Sequence, residues 1–175
     1  MNTTIKFAKV KPNAIIPSKR EEDMGFDIYA CFEEDYIAML PHETKLIPTG
    51  IASACDKEYG FILKERGSTG SKGIAVRCGV LDSNFRGEWF VAFTNTTNIT
   101  LFLINPNWKN KDCIPDNQFS YDCTKAIAQA ILVPVPTTTI EEISYEELKE
   151  IESERGDGML GSSNKWVQTQ KQSFW

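Results

Sequence analysis

A glycine- and serine-rich segment from Arg66 to Gly73 contains residue types that bind anions. It has the sequence RGSTGSKG and offers a guanidinium group, several hydroxyls and backbone amides with little side-chain cover. Such groups together cradle phosphates in proteins. The P-loop pattern GxxxxGK[ST] is absent, and a Gly/Ser turn between two strands has the same composition. The segment is therefore a candidate phosphate site and also a candidate turn.

Asp82 lies in a second segment that has two interpretations. It stands between a strand-like run and a turn in the sequence GVLDSNFRG, residues 79–87. An Asp at such a place commonly accepts backbone amides in a turn, but it can also be a general base that faces a cleft. Near the C-terminus, Arg155 and the run Gly161-Ser162-Ser163 supply a second set of anion-binding groups. Two such sets and one carboxylate suggest a polyphosphate substrate that is attacked by water.

Composition and charge restrict the kinds of partner and metal site that the protein can have. The chain has 175 residues and a net charge of −5, a length typical of one domain. Residues 141–154 hold seven Glu and one Lys, a local net charge of −6, so the rest of the chain has a net charge of +1 and offers no basic face for nucleic acid. The five Cys lack CxxC spacing and the single His42 follows a Pro, so neither a disulfide framework nor a zinc site is expected. No apolar run has the length of a membrane span and no signal peptide is recognised, so we expect a soluble, cytoplasmic protein without a membrane partner.

Hydrophobic periodicity predicts mostly short β-strands separated by turn signals. The predicted strands are Thr3–Phe7, Tyr36–Leu40, Thr44–Ile47, Tyr59–Leu63, Ile74–Cys78, Trp89–Phe93, Ile99–Ile104 and Ile127–Val135. Many short strands with such punctuation are typical of a β-sandwich or barrel. We therefore expect an all-β domain over residues 1–140.

Two regions depart from this pattern. Residues 105–123 are polar and poorly periodic, so they are predicted to be a long loop, either a tolerated surface insertion or one whose aromatic residues bind a protein regulator. Ser144 and Glu147 form a capping box that opens a short helix toward Glu152. The chain after it is polar and glycine-rich, so residues 141–175 are predicted to be an acidic linker and a flexible C-terminal arm.

Five segments resemble the five motifs of the homotrimeric dUTPase family. The segments, in the family's order, are residues 25–30 (GFDIYA), residues 66–72, residues 79–87, residues 127–134, and Arg155-Gly156 with Gly161-Ser162-Ser163. One such segment is weak evidence, but five in order are strong evidence. The resemblance implies a jelly roll or distorted β-barrel of the β-clip type. It also implies a homotrimer with active sites at subunit interfaces and hydrolysis of dUTP to dUMP and pyrophosphate with Mg²⁺.

The resemblance also implies roles for individual residues. Asp82 matches the Asp that orients the attacking water, and Asp27 matches the Asp that reaches the metal through a water. The residues that match phosphate-binding positions are Arg66, Gly67, Ser68, Gln129 and, at the γ-phosphate, Arg155.

Uracil and deoxyribose are recognised, by the same resemblance, through the third motif and the arm. A hairpin from Val76 to Leu81, which includes Gly79 and Val80, is expected to bind uracil through its backbone. Phe85 stands where the family usually has a Tyr packed on deoxyribose. The arm residues expected to close over the substrate are Leu160, Gly161, Ser162 and Ser163.

Three positions depart from the family's pattern. Gly67 replaces the usual first Ser of motif two, Ala126 replaces the Arg of motif four, and Leu160 replaces the Phe that stacks on uracil. These departures bear on rate and affinity rather than on the reaction.

Two other functions are alternatives to dUTP hydrolysis. A dCTP deaminase shares the fold and often has Phe at the position of Phe85, but its catalytic Glu corresponds to Ala92 here. A regulatory or interaction protein could use the 105–123 insertion to bind a partner. A purely structural role predicts loss of Asp82 or Arg155, and both are present.

Overall fold

The computed structural model describes residues 3–110, 114–115, 117–153 and 156–158. The chain divides into two compact units, residues 1–137 and residues 138–175. In the described ranges the strands are β1 (Lys6–Lys9), β2 (Gly25–Ile28), β3 (Tyr36–Met39), β4 (Thr44–Pro48), β5 (Ile51–Ala54), β6 (Tyr59–Glu65), β7 (Ile74–Arg77), β8 (Val80–Leu81), β9 (Phe90–Asn95), β10 (Leu101–Ile104), β11 (Phe119–Asp122) and β12 (Ala128–Pro134). The helices are α1 (Gly67–Gly70) in the first unit and α2 (Tyr145–Glu150) in the second.

The strands of the first unit form four sheets. Their strand orders are β1-β5, β11-β10-β3, β2-β12-β6-β8 and β4-β9-β7. The ladder between β10 and β11 is parallel, and the other ladders of the described strands are antiparallel. The four-stranded sheet positions the candidate site, because β2 and β8 form its two edges.

Alternating side chains explain how these strands build a core. In β6, Phe61 and Leu63 are buried while Ile62 and Lys64, which alternate with them, are exposed, as the period of two residues in a strand requires. Phe61 packs edge-on against the buried Trp89, with ring centroids 5.0 Å apart, and Phe7 contacts the same Trp at 5.7 Å. The largest fully buried side chains also include Phe93, Ile28, Met39, Ile47, Ile51, Leu101, Leu103, Ile127 and Val91.

Most of the predicted elements are confirmed, with shifts at their ends. The capping box of α2 is present, because Ser144 Oγ accepts a bond from Glu147 N at 3.1 Å and Glu147 Oε2 accepts one from Ser144 N at 2.8 Å. His42 is exposed, and its Nε2 lies 3.1 Å from Asn98 Oδ1. The strand prediction missed β2, β5, the two-residue β8, and β11.

The prediction of a loop throughout residues 105–123 is wrong for Phe119–Asp122, which form β11. This strand pairs with β10 in parallel, with Leu101 opposite Phe119 and Leu103 opposite Tyr121. A parallel return needs a crossover of roughly a dozen or more residues. The 14 residues from 105 to 118 supply that length, so the polar segment links two neighbouring strands.

Among the residues that the structure describes, no helix has the length and apolar character needed to cross a membrane.

Candidate active site

A cavity of about 680 Å³ opens at the β2 edge of the four-stranded sheet, and we call it the anion pocket. It brings together five residues that the sequence predicted to bind phosphate or metal. These five are Asp27, Arg66, Gly67, Ser68 and Gln129. The rest of its wall comes from Ser18, Lys19, Arg20, Asp23, Met24 and Gly25.

Strand register places the polar side chains of the anion pocket next to one another. Gln129 in β12 lies between Asp27 in β2 and Lys64 in β6. The Gln129 amide donates to the carbonyl of Glu65 at 3.0 Å, which fixes its side chain at the end of β6. A side chain on Gly25 would collide with Gln129, because its Cβ would lie 2.9 Å from Oε1. The glycine of the first motif therefore leaves the space that Gln129 occupies.

Arg66 is the central cation of the anion pocket. Its Nε lies 3.1 Å from Oδ1 of Asp27, and its Nη1 donates to the carbonyl of Ala126 at 3.3 Å. The two charged side chains remain about one third exposed, so their attraction is worth no more than about 1 kcal/mol. The Asp27 carboxylate therefore holds the Arg66 guanidinium only weakly. A more highly charged anion can take the place of that carboxylate.

The short helix α1 presents backbone amides to the anion pocket. The fully buried Thr69 anchors it, because Thr69 Oγ1 accepts a bond from Arg66 N at 3.0 Å and donates to Arg66 O at 3.1 Å. Gly67 and Ser68 are exposed at the first turn, where N–H groups have no partner within the helix. Neither amide has an acceptor in the part of the chain that the structure describes. Both are available to an oxyanion.

Asp82 follows β8 at the opposite edge of the same sheet. Its carbonyl accepts a bond from Phe85 N at 3.1 Å, so residues 82–85 form a tight turn, and Arg86 braces that turn through Ser83 O at 2.6 Å. The Asp82 carboxylate is exposed and makes no hydrogen bond or ion pair within the described ranges. An Asp that only stabilised the turn would use its carboxylate on backbone amides. This carboxylate is free for a ligand.

A smaller cavity of about 370 Å³ lies beside Asp82. Val80 and Leu81 line it together with apolar residues of β6 and the end of β12. Phe85 is 42% exposed, and its ring covers Gly87, where a Cβ would lie 2.6 Å from Cζ. The ring is therefore held at the surface close to Asp82.

The prediction of a hairpin over Val76–Leu81 is wrong in its strand pairing. β7 pairs with β9 and β8 pairs with β6, so the two strands belong to different sheets. Gly79 lies in the link between them and accepts a bond from Leu63 N at 2.6 Å. A side chain on Gly79 would collide with the carbonyl oxygen of Leu63. β7 and β8 are both edge strands.

One chain does not bring Asp82 to the anion pocket. Asp27 is level with Lys64 in the sheet, Leu81 is level with Phe61, and β2 and β8 are separated by three strand spacings. With a spacing of about 4.8 Å and a rise of about 3.3 Å per residue, the Cα atoms of Asp27 and Asp82 lie roughly 19 Å apart. The two groups of predicted residues are therefore separate in a single chain.

The predicted arm residues lie outside the described residues. They are Arg155, Leu160, Gly161, Ser162 and Ser163.

Comparison with known proteins identifies the family. The sequence model of the dUTPase family matches residues 11–107. A deoxyuridine 5'-triphosphate nucleotidohydrolase of Nautilia profundicola is 33% identical over 165 residues, which cover 92% of this chain and 99% of that protein. This chain belongs to the dUTPase family.

Solved dUTPase structures share the fold. A dUTPase mutant of Staphylococcus bacteriophage 80alpha with dUpNHpp aligns with a TM-score of 0.72 and 23% identity over 91% of this chain and 98% of that one. A mutant dUTPase of phage phi11 of S. aureus, whose structure reveals the coordination of a structural Mg(II) ion, aligns with a TM-score of 0.62 and 18% identity. That alignment covers 80% of this chain and 96% of the phage chain. The all-β, jelly-roll prediction for this dUTPase is confirmed.

The dCTP deaminase alternative is not favoured. Ala92, at the position of the deaminase's catalytic Glu, is only 4% exposed within β9. The comparisons match dUTPases instead.

The donor set of this dUTPase suits a hydrated Mg²⁺ rather than a metal caged by protein. Within the described ranges no three His, Cys, Asp or Glu side chains cluster as metal ligands. Mg²⁺ keeps several waters and typically takes one or two carboxylates together with substrate phosphates. Asp23 and Asp27 both line the anion pocket, but Asp23 is held by Arg20, so the Asp27 carboxylate is the one that fits this demand through a water.

Sequence reasoning missed one wall of the anion pocket. The wall is formed by the charged run before β2. Arg20 donates two hydrogen bonds of 2.9 Å to the Asp23 carboxylate, and Lys19 Nζ lies 5.7 Å from the centre of the Phe26 ring. Two cations, Lys19 and Arg20, are followed directly by the carboxylates of residues 21–23, so composition showed no basic patch. The charged run directly before motif one was the available signal.

Proposed function

We propose that this protein hydrolyses dUTP to dUMP and pyrophosphate in the cytoplasm, and so keeps uracil out of DNA and supplies dUMP. Family membership gives the reaction. The anion pocket carries the proposal, because a guanidinium and two unpaired amides face a space of about 680 Å³. That is the environment a triphosphate needs.

Phosphate binding is assigned to Arg66, Gly67, Ser68 and Gln129. The guanidinium offers a planar fork to phosphate oxygens, and the two free amides of α1 add uncharged donors. Arg66 forms an ion pair with Asp27 at 3.1 Å. An entering phosphate would bind the guanidinium in place of Asp27, and the Asp27 carboxylate would then be free. The protein exchanges one partly exposed ion pair for charge-assisted bonds to its substrate.

Uracil recognition is assigned to Val76, Gly79, Val80 and Leu81. β7 and β8 are edge strands of two sheets, so each has a row of backbone groups outside the strand ladders at which a planar ligand with donors and acceptors could bind. Backbone contacts of this kind distinguish uracil from cytosine by donor and acceptor pattern, and a tight fit excludes the thymine methyl. Phe85, close to Asp82, is expected to pack on deoxyribose and to leave no room for a 2′-hydroxyl.

Asp82 is assigned to the attacking water. Water oxygen bonds to the α-phosphorus, the bond from that phosphorus to its bridging oxygen breaks, and pyrophosphate leaves. The Asp82 carboxylate takes the proton of the water and later returns it to solvent. General-base assistance of this kind contributes about 10²–10⁴-fold to the rate.

Mg²⁺ is assigned to the triphosphate, with Asp27 holding one of its waters. When bound, the metal neutralises phosphate charge and orients the leaving pyrophosphate. Asp27 is suited to this role because the entering phosphate removes its partner Arg66.

We further propose that the active enzyme is a homotrimer with sites at its subunit interfaces. The support is the separation of roughly 19 Å between Asp27 and Asp82 in one chain, which a side chain cannot bridge. One subunit then supplies the anion pocket and a neighbour supplies Asp82 and the uracil-binding strands. The second unit is proposed to carry the arm, with Arg155 at the γ-phosphate and Leu160, Gly161, Ser162 and Ser163 over the substrate.

Pyrophosphate release with Mg²⁺ from dUTP, dTTP, dCTP and UTP, measured in parallel, tests the reaction and its selectivity. Release is expected from dUTP alone, and Asp82→Asn is expected to lower kcat by about 100-fold or more. Asp56→Asn is the matched control, because Asp56 is another exposed carboxylate that lines neither cavity. Equal release from UTP or dTTP contradicts the proposal, and ammonia released from dCTP would favour the deaminase.

A further inference from the structure

Tyr121 in β11 lies beside Arg66 and Ser68, two residues that line the anion pocket. It is 4% exposed, and its hydroxyl donates a 2.7 Å hydrogen bond to the carbonyl of Ala126. The same carbonyl accepts the bond from Nη1 of Arg66 at 3.3 Å. One backbone oxygen therefore joins a buried phenol to the central cation of the pocket.

The phenol also lies close to the side chains that are assigned to phosphate. Burial raises the pKa of Tyr121, and the neighbouring Ser68 and Arg66 offset that rise only in part. Because the pKa lies above its ordinary value near 10, the hydroxyl keeps its proton and remains a donor at neutral pH.

β11 has a second contact with the phosphate-binding segment. Lys72, just after α1, lies 5.9 Å from the centre of the Phe119 ring. The strand that closes the 105–118 link thus contacts both ends of the segment from Arg66 to Lys72.

We propose that Tyr121 is a positioning residue of the anion pocket, which fixes the Ala126 carbonyl and through it orients Arg66 toward phosphate. The inference rests on the proposed function of that pocket. Nothing in the sequence motifs assigns this role, because Tyr121 lies outside all five of them.

Tyr121→Phe removes one oxygen and keeps the ring, so its effect should be limited to ligands that carry phosphate. Loss of one hydrogen bond is expected to weaken binding of phosphate groups by about two- to tenfold. The KM for dUTP and the inhibition constant of pyrophosphate should rise together. The inhibition constant of deoxyuridine, which has no phosphate, should not change. A merely structural role would affect both inhibitors.

Two further variants complete the test. Tyr36→Phe is the control, because Tyr36 is a 43% exposed tyrosine in β3, away from the anion pocket. Arg66→Lys removes the guanidinium, so adding Tyr121→Phe to it should have little further effect if Tyr121 acts through Arg66. This comparison between single and double variants is informative even if Tyr121→Phe lowers the unfolding temperature.

The outcomes separate the inference from the proposed function. If the wild-type protein releases no pyrophosphate from dUTP, the proposed function fails, and calorimetric titration with pyrophosphate still compares the pockets of wild-type protein and Tyr121→Phe. Equal pyrophosphate binding by the two proteins overturns the inference. Equal losses for pyrophosphate and deoxyuridine, or fully additive effects with Arg66→Lys, overturn it as well.

Discussion

Asp27 and Asp82 show how the same residue type has different surroundings in one sheet. Asp27 is paired with Arg66 at 3.1 Å, whereas the Asp82 carboxylate has no partner in the described part of the chain. A paired carboxylate can be exchanged for a phosphate, and an unpaired one can accept a proton. The two residues therefore suit the metal and the water, respectively.

The role of Asp27 predicts a change in metal dependence. Chelation of Mg²⁺ should abolish turnover, and Asp27→Asn should raise the Mg²⁺ concentration for half-maximal rate by about tenfold, since a carboxylate that holds a metal-bound water is lost. Asp23→Asn is the control, because Asp23 lines the same pocket but is held by Arg20. A larger shift for Asp23→Asn than for Asp27→Asn would show that the wrong carboxylate was assigned.

Individual residues of the site were predictable only where they lie in a motif. Asp27, Arg66, Ser68 and Gln129 were predicted and share one pocket. Tyr121 was not predicted, because its role depends on a strand that the polar sequence around it concealed. Its alternation with Phe119, across Ser120, was the one local signal.

At the scale of elements, the link between β7 and β8 depends on the close approach of Gly79 to β6. Gly79→Ala should reduce the free energy of unfolding by about 1–3 kcal/mol, because the added methyl collides with the Leu63 carbonyl. Gly67→Ala is the matched control, since a Cβ there meets nothing within 4 Å. Urea unfolding of both variants provides the measurement. Equal stability of the two variants would mean that the link does not require glycine.

The pattern of elements was largely predictable, and its exceptions have physical causes. Short alternating strands and the capping box at Ser144 rest on local rules of periodicity and hydrogen bonding. β11 escaped prediction because parallel pairing joins residues far apart in the chain. The pairing of β7 and β8 with different sheets is also a tertiary property that local sequence does not encode. A protein regulator at the 105–123 segment stays a prediction.

At the scale of the whole molecule, the strand order of the sheet separates Asp27 from Asp82, two carboxylates that the proposed reaction needs in one active site. β2 carries Asp27 at one edge of the four-stranded sheet, and Asp82 follows β8 at the other. Motif order along the chain did not reveal this separation, because it depends on which strands become edges. A trimer resolves it if each anion pocket meets the Asp82 edge of a neighbour.

Mixing two inactive variants tests directly whether neighbouring chains share each active site. Arg66→Ala and Asp82→Asn should each be nearly inactive alone. After joint unfolding and refolding at equal amounts, about one quarter of the sites in a cyclic trimer would combine an intact Arg66 from one chain with an intact Asp82 from its neighbour. If neighbouring chains share each site, dUTP hydrolysis should recover to about that fraction of the wild-type rate. If the mixture assembles but stays as inactive as its parts, Arg66 and Asp82 act within one chain and the account is wrong.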